Sequence, residues 1–277
     1  MTINCKGTLI DLTTPLVMGI LNLTPDSFHD GGKYLSIDNI LRHTEQMLSD
    51  GADMIDIGGM SSKPGSKIIG AEEELQRVIE PISEIHKRFP GAILSIDTIH
   101  ANVAEAAVAN GVSIVNDISA STLNEEMIGT VAELGVPYII MHMQGKPENM
   151  QQNPIYTNVI TEVMDYLAAK IIACRIAGIH DVIVDPGFGF GKTNEHNFQL
   201  LKGLSLFKML DCPIIAGLSR KSMITKTLGI KNVDALNGTT VLNTIALMNG
   251  ANILRVHDVK EAKEAVRLVE MMKKVNI

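Results

Sequence analysis

Three acceptor side chains stand at the ends of short apolar runs in the middle of this chain. Asp97 follows Ile93–Ile96, Asn116 follows Ile114–Val115 and Asp185 follows Val182–Val184. A carboxylate placed after so apolar a run must be paired or must accept donors from a ligand, because an unpaired buried one costs several kcal/mol or takes up a proton. Three acceptors converging on one pocket suit a flat heterocycle carrying ring N–H and exocyclic amino donors. The plainer reading is a buried ion-pair network with Lys221. Cations gather later in the chain, as Ser219-Arg220-Lys221-Ser222 and Arg255-Val256-His257. Two basic clusters at neighbouring strand ends point to a bound phosphate. Asp258 and Glu261 are placed to cap the helix that follows, whose first amides add partial positive charge beside Arg255 and His257.

Two segments are rich in Gly, Pro and Ser: Thr24-Pro25-Asp26-Ser27-Phe28-His29-Asp30-Gly31-Gly32 and Ser61-Ser62-Lys63-Pro64-Gly65-Ser66. They read as lids that close over a substrate and exclude water. Other patterns fail. Gly187-Phe188-Gly189-Phe190-Gly191-Lys192-Thr193 lacks the first glycine of a P-loop, since position 186 is Pro186, and reads instead as a tight loop where backbone approaches ligand. The histidines show no HxxxH or HExxH spacing, so a zinc site is not expected. Met141, Met143, Met164, Met223 and Met248 read first as gap-fillers of a core.

The elements that must position these residues follow from periodicity. Eight runs of strand length, Val17–Leu21, Met54–Ile57, Ile93–Ile96, Ile114–Val115, Tyr138–Met141, Val182–Val184, Ile214–Ala216 and Ile253–Val256, are nearly continuous in Val, Ile, Leu and Met, as strands covered on both faces should be. Between them the period becomes helical: Ile37, Ile40, Leu41, Met47 and Leu48 share one face, and Val159, Ile160, Val163, Met164, Leu167 and Ile171 another. Gly51, Gly111, Gly135, Gly178 and Gly250 each close a helical segment before a strand, where a left-handed residue is expected. The repeat is about 34 residues, the size of one βα unit in a closed eight-strand barrel. An α/β fold is therefore predicted, a single (β/α)8 TIM barrel spanning 1–277 as one domain. A doubly wound sheet is disfavoured because no GxGxxG follows the first strand. In a barrel the strand C-termini meet at one mouth, so the polar residues above face one cavity. Ile3–Pro15, with Lys6-Gly7 at its centre, reads as an N-terminal β-hairpin that plugs the opposite end.

Composition narrows the function classes. The chain of 277 residues is 45% hydrophobic, 20% charged and 4% aromatic with no Trp, which excludes a disordered chain and an aromatic single-strand nucleic-acid binder. With 24 Lys+Arg against 31 Asp+Glu the net charge is −7, so the overall field repels nucleic acid and anionic membranes. No nucleic-acid or membrane partner is expected. Cys5, Cys174 and Cys212 form no CxxC and read as reduced core thiols. Neither a signal peptide nor a span of about 18 apolar residues is present, so the expected compartment is cytoplasmic.

At the level of motifs, Met18-Gly19-Ile20-Leu21-Asn22-Leu23-Thr24-Pro25-Asp26-Ser27-Phe28 resembles the opening signature of dihydropteroate synthases, the pterin-binding barrels of folate biosynthesis. Asp56-Ile57-Gly58-Gly59 with Pro64-Gly65, Ser95-Ile96-Asp97-Thr98, Asn116-Asp117, Asp185-Pro186-Gly187-Phe188-Gly189-Phe190, Ser219-Arg220-Lys221 and Arg255-Val256-His257 resemble that family's later motifs, in the same order. The resemblance implies a transferase that joins p-aminobenzoate to 6-hydroxymethyl-7,8-dihydropterin pyrophosphate, giving 7,8-dihydropteroate and pyrophosphate. It also implies roles. Asp97, Asn116, Asp185 and Lys221 would hold the pterin, with Ile118, Met141, Phe190 and Gly217 lining its slot. Asn22 would bind Mg²⁺ and, with Lys63, Arg255 and His257, the pyrophosphate. Phe28, Ser62, Pro64, Lys221 and Ser222 would form the p-aminobenzoate site. Asp97, Asp185, Lys221 and Asp30 would carry catalysis, Asp30 by ordering the first lid. A homodimer through the later helices, sensitive to sulfonamides, is the family expectation; Val266, Val269, Met271 and Met272 of the last helix would serve either a dimer contact or packing on the barrel.

One loop departs from the family pattern. Where most members read Gly-Gly-Glu-Ser-Thr-Arg-Pro-Gly, this chain has Gly58-Gly59-Met60-Ser61-Ser62-Lys63-Pro64-Gly65. Lys63 offers a compact charge in place of a guanidinium fork, and Ser62 keeps a hydroxyl but loses a methyl. Two rival readings remain: a methyltetrahydrofolate-binding methyltransferase, which would not need the basic clusters, and a catalytically silent pterin-binding protein.

Overall fold

The computed structural model describes residues 1–24, 37–61 and 65–275. Their strands are β1 (Thr2–Cys5), β2 (Thr8–Asp11), β3 (Leu16–Asn22), β4 (Met54–Gly58), β5 (Ile93–Asp97), β6 (Ile114–Asp117), β7 (Tyr138–Met141), β8 (Val182–Asp185), β9 (Ile215–Ala216) and β10 (Ile253–Val256). The helices are α1 (Ile37–Ser49), α2 (Ala71–Arg88), α3 (Ala101–Ala109), α4 (Met127–Leu134), α5 (Val159–Ile176), α6 (Asn194–Lys202), α7 (Ser222–Leu228), α8 (Leu236–Met248) and α9 (Val259–Lys274).

The last eight strands form one parallel sheet in the order β8-β7-β6-β5-β4-β3-β10-β9, and a parallel bridge between Val184 and Ile214 joins its two edges into a barrel. All eight expected runs are strands. Several extend past their apolar stretch, so that Asn22, Asp97, Asp117 and Asp185 are themselves ladder residues. Pairing with a neighbouring strand, and for Asp97 with both neighbours, therefore fixes where these polar groups stand. The expected helix-closing glycines all have left-handed φ, from 61° at Gly135 to 113° at Gly111. On α1, Ile40 and Met47 are buried with Ile37, Leu41 and Leu48 packed beside them; on α5, Val159, Val163, Leu167 and Ile171 are buried.

Strand periodicity organises the interior. Met18, Met54, Ile114, Ile139, Ile183, Ile215 and Ile253 form one apolar cluster inside the barrel. Alternate residues of a strand face the same way, so the next inward positions are Ile20, Asp56, Asn116, Met141, Asp185, Gly217 and Arg255. A single step along the strands thus changes the barrel from hydrocarbon to a polar layer. Below the apolar layer lies the hairpin β1–β2, turned by Lys6 (φ 50°) and Gly7 (φ 92°), a two-residue turn whose positive φ values match the strand twist. Ile3, Cys5 and Leu12 join the apolar cluster from beneath. The hairpin is held there by Asn4 N–H donating to Asp181 (3.1 Å) and Lys6 Nζ donating to the Val108 carbonyl (2.9 Å). The three cysteines are free and buried.

Ile139 is fully buried between floor and polar layer. Ile139→Ala is expected to lower stability by about 2–5 kcal/mol through lost transfer energy and a residual cavity. Urea unfolding followed by circular dichroism measures this, and a loss below about 1 kcal/mol would show that the layer relaxes around the gap.

Candidate active site

Arg255 is the centre of the polar layer. Its Nε donates to Asp56 Oδ2 and its Nη2 to Asp97 Oδ2, each at 2.6 Å. Asp56 Oδ2 also accepts from Asn116 Nδ2 at 3.0 Å, which leaves the Asn116 carbonyl oxygen as the group available to a ligand. One fully buried carboxylate therefore orients both an amide and a guanidinium. The ion-pair network foreseen for this region exists, but its cation is Arg255 rather than Lys221.

Asp185 Oδ1 accepts from Gly187 N–H at 2.7 Å, in the turn that starts the glycine-rich loop. That loop lies close on the end of β7: a Cβ on Gly187 (φ 72°) would sit 1.9 Å from the His142 carbonyl oxygen, so no larger residue fits. Lys221 precedes α7 and reaches back over the loop, donating to the Phe188 carbonyl with its Nζ 4.6 Å from the Phe190 ring centroid. Burial raises the pKa of Asp97 and Asp185, and the nearby Arg255 and Lys221 respectively pull them back. Burial likewise brings Lys221 down to about 8, with Asp185 opposing.

One pocket opens on this layer, lined by Asn116, Ile118, Met141, Asp185, Phe190, Gly217, Lys221 and Arg255. Seven of these were expected to line a pterin slot; Asp97 stands one step away, on the far side of the Arg255 guanidinium. Asn22 is half-buried at the end of β3, beside Gly58 and Asp97. His257 is on the exposed rim, where Ser219 Oγ hydrogen-bonds its Nδ1 (3.0 Å) and accepts its backbone N–H (3.2 Å). Ser222 is exposed at the start of α7. Phe28, Asp30, Ser62, Lys63 and Pro64 lie outside the described residues.

Some polar residues expected at the mouth are turned elsewhere. Arg220 forms a two-pronged pair with Asp258 (2.6 and 2.9 Å) and is not part of an anion cluster with Lys221. The same pair takes the Asp258 carboxylate, which makes no capping hydrogen bond at the start of α9. Asp117 points away from the pocket, accepting from Ser119 N–H and Oγ, Ser121 N–H and Tyr138 OH, all at 2.7 Å, and so folds the loop that carries Ile118. His142 is buried against Lys192. Alternation along a strand gives the reason: Asn116 and Asp117 are adjacent and must face opposite ways.

Asp56 was the residue that pattern reading left without a role. Its signal was available, because it lies two positions after Met54 in an inward-facing register. Thr98 is a second case: its hydroxyl donates to the buried Glu74 at 2.8 Å, tying the end of β5 to α2 near the start of the second loop.

The family described as pterin binding enzymes matches residues 18–257. The dihydropteroate synthase of Escherichia coli strain K12 is 44% identical over 272 residues, covering 98% of this chain and 96% of that protein. The Yersinia pestis dihydropteroate synthase, solved with a sulfonamide drug complex, superposes with a TM-score of 0.94 at 41% identity, covering 99% of this chain and all of that one. A Xanthomonas albilineans dihydropteroate synthase in complex with 7,8-dihydropteroate gives a TM-score of 0.89 at 35% identity over the full length of both chains.

Removing the Asp56 carboxylate leaves Arg255 half-paired and Asn116 free to flip. Asp56→Ala is expected to cost about 3–5 kcal/mol of stability, the range for breaking a buried pair. Equilibrium unfolding in urea checks this; a cost under about 1 kcal/mol would mean that Asp97 alone suffices to hold the guanidinium.

Proposed function

The chain belongs to the dihydropteroate synthase family of pterin-binding enzymes, and from that membership we propose how it condenses p-aminobenzoate with 6-hydroxymethyl-7,8-dihydropterin pyrophosphate. The products are 7,8-dihydropteroate and pyrophosphate, and the setting is folate biosynthesis. The observation that supports the reading best is the pocket built from Asn116, Asp185, Lys221 and Arg255 between the apolar walls Ile118, Met141 and Phe190. A reduced pterin is a flat ring whose N–H and amino groups are donors, and Asp185 and the Asn116 carbonyl are acceptors that line the slot. Gly217 also lines the slot, and Asp97, paired with Arg255 at its edge, is assigned to the same ring.

Toward the mouth, Arg255, His257 and Lys63 are assigned to the diphosphate. Among the described residues no group of three His, Cys, Asp or Glu side chains could hold a metal by itself. A Mg²⁺ bound chiefly by phosphate oxygens and water needs only one or two protein oxygens, and Asn22, beside Gly58 and Asp97, fits that need. When bound there, Mg²⁺ would neutralise charge on the leaving diphosphate. Phe28, Ser62, Pro64, Lys221 and Ser222 are assigned to p-aminobenzoate, and Asp30 to ordering the first loop.

The step is a displacement at the pterin methylene. The C–O bond to the diphosphate breaks with its electron pair leaving on oxygen, positive character builds on the methylene and ring, and the arylamine nitrogen forms the new C–N bond and releases a proton. Asp97 and Asp185 favour the positive charge while Lys63, Arg255 and His257 favour the leaving anion, so catalysis is electrostatic. No side chain needs to form a covalent bond to substrate.

Further assignments concern surroundings. No helix among the described residues is long and apolar enough to cross a membrane, in keeping with a cytoplasmic enzyme. Val266 and Val269 of α9 pack on the barrel, while Leu268, Met271 and Met272 are exposed, as are Val241, Ile245 and Met248 of α8. Such an apolar strip across two adjacent helices supports a homodimer. The whole chain is read as one domain.

Pyrophosphate release from the dihydropterin diphosphate with Mg²⁺ tests the reading. It should require p-aminobenzoate, and Asp185→Asn should lower kcat/KM by about 100-fold, the equivalent of about 3 kcal/mol for a lost charge-assisted hydrogen bond. Tight pterin binding without turnover would instead mark a silent binding protein. Lys63→Arg should preserve or improve kcat/KM, and a large loss would remove Lys63 from the diphosphate site.

The pH profile of kcat/KM carries a second expectation. Asp97 and Asp185 must be ionised to accept pterin donors, and burial raises both, so the acid limb should lie above the usual carboxylate range. Lys221 must be charged and titrates near 8, so activity should fall again above that pH. A flat profile between pH 5 and 9, a range of about four units around neutrality, would sink this assignment.

A further inference from the structure

Lys192 closes the glycine-rich loop and is only 2% exposed, yet the mechanism above makes no use of it. Its Nζ meets the Phe190 carbonyl at 2.9 Å, the His142 carbonyl at 3.2 Å and His142 Nδ1 at 3.0 Å. An ammonium has three donors, and here each has an acceptor. With the amine protonated, Nδ1 accepts from it, which places the imidazole proton on Nε2 and leaves the ring neutral. Burial and the Lys192 charge agree with this, bringing the His142 pKa down to about 3. The ring is covered by Tyr166, edge-on at 4.9 Å, and by Tyr156 at 6.0 Å.

This amine joins two walls of the pterin pocket. Phe190 belongs to the loop after β8, and His142 follows Met141 at the end of β7; both Phe190 and Met141 line the slot. Other ties hold the loop's remaining carbonyls, with Tyr156 OH donating to Gly191 (2.8 Å) and Gln151 Nε2 to Gly189 (2.5 Å). The Phe190 carbonyl is the one taken by Lys192. A neutral side chain could tie two carbonyls at a smaller desolvation cost than a buried cation. Burial pushes the Lys192 amine well below its usual range and the Lys221 charge adds to this, while the Asp185 carboxylate opposes both. Asp185 is faced in turn by Lys221 just before α7, Arg255 from β10, the Gly187 N–H and Lys192 from its own loop.

We propose that Lys192 is a positioning residue of the pterin pocket, clamping the Phe190 wall to the Met141 wall through its three hydrogen bonds, with Asp185 favouring its charged form. The proposal rests on the pterin-transfer reading and deepens it. Lys192 touches no substrate; it acts through the Phe190 and His142 backbone and through Asp185. Loss of the clamp should therefore weaken the pterin substrate and spare p-aminobenzoate. Loss of the charge should let Asp185 take up its proton at higher pH.

Lys192→Met removes both effects, while Lys192→Gln keeps a donor for a carbonyl and removes only the charge. In steady-state kinetics with each substrate varied, Lys192→Met should raise KM for the dihydropterin diphosphate about tenfold or more and leave KM for p-aminobenzoate within about twofold. The acid limb of its kcat/KM profile should move to higher pH. Lys192→Gln should recover most of the KM while keeping the displaced acid limb. Equal KM changes for both substrates with an unmoved acid limb would reduce Lys192 to a packing residue and overturn the proposal. So would wild-type kinetics in both variants, or failure of both to fold by circular dichroism. If the unmodified protein does not turn over, the reaction reading fails first. Calorimetric titration of wild type and Lys192→Met with the dihydropterin diphosphate still decides the clamp, because equal affinity would reject it.

Discussion

Everything at the mouth of this barrel depends on keeping one half-buried guanidinium paired. Arg255 enters the polar layer from β10 and is held by carboxylates from β4 and β5, Asp56 and Asp97, across the width of the barrel. A cation in that position could not be left unpaired, and a carboxylate there could not be left without a cation. The pair therefore specifies the layer as a unit: Asp56 aims Arg255, and through its other contact it aims Asn116. Charges that would be liabilities singly become a rigid frame of donors and acceptors. On the proposed reaction such a frame would receive a polar heterocycle with little rearrangement.

The frame is rigid because its members are strand residues. Asp97 is tied on both sides by the parallel ladder and Asn22 and Asp185 on one side each, whereas the loops above are placed by local devices. Asp117 gathers four donors to fold the segment carrying Ile118, Ser219 steadies His257, and the amine of Lys192 steadies Phe190. The pocket thus combines a hard floor, made of ladder residues, with walls whose position rests on a few side-chain hydrogen bonds. Substitutions in the floor should register in folding, and those in the supports of the walls in substrate affinity.

Much of this was legible beforehand because it is periodic. Eight apolar runs separated by helical segments, with a glycine before most strands, define a barrel without reference to any contact. The acceptor triad Asp97, Asn116 and Asp185 stands out because polar residues at the ends of apolar runs are conspicuous. What stayed hidden was pairing. Nothing in the order of residues says that Arg255 meets Asp56 and Asp97, which come about 160 to 200 residues earlier, or that Arg220 turns to Asp258 instead of to an anion. Such choices depend on side-chain direction at the mouth, where two adjacent positions face opposite ways. Asp117 and His142 turn away from the pocket for the same reason. Lys192 was discounted because its sequence motif failed, although its contribution is geometric and owes nothing to that motif.

The hairpin beneath the barrel has one more consequence. With Ile3, Cys5 and Leu12 packed into the apolar layer, the barrel is a blind well, stoppered below and open only above. Molecules that occupy different depths of a blind well must queue. On the proposed reaction the ring that seats deepest has to arrive before the arylamine that closes over it. The joined product, longer than either, has to back out by the way its parts came in, after the diphosphate at the rim has cleared the exit. Kinetic order would then be imposed by a packed apolar layer, backed from below by a pair of short strands, that carries none of the chemistry.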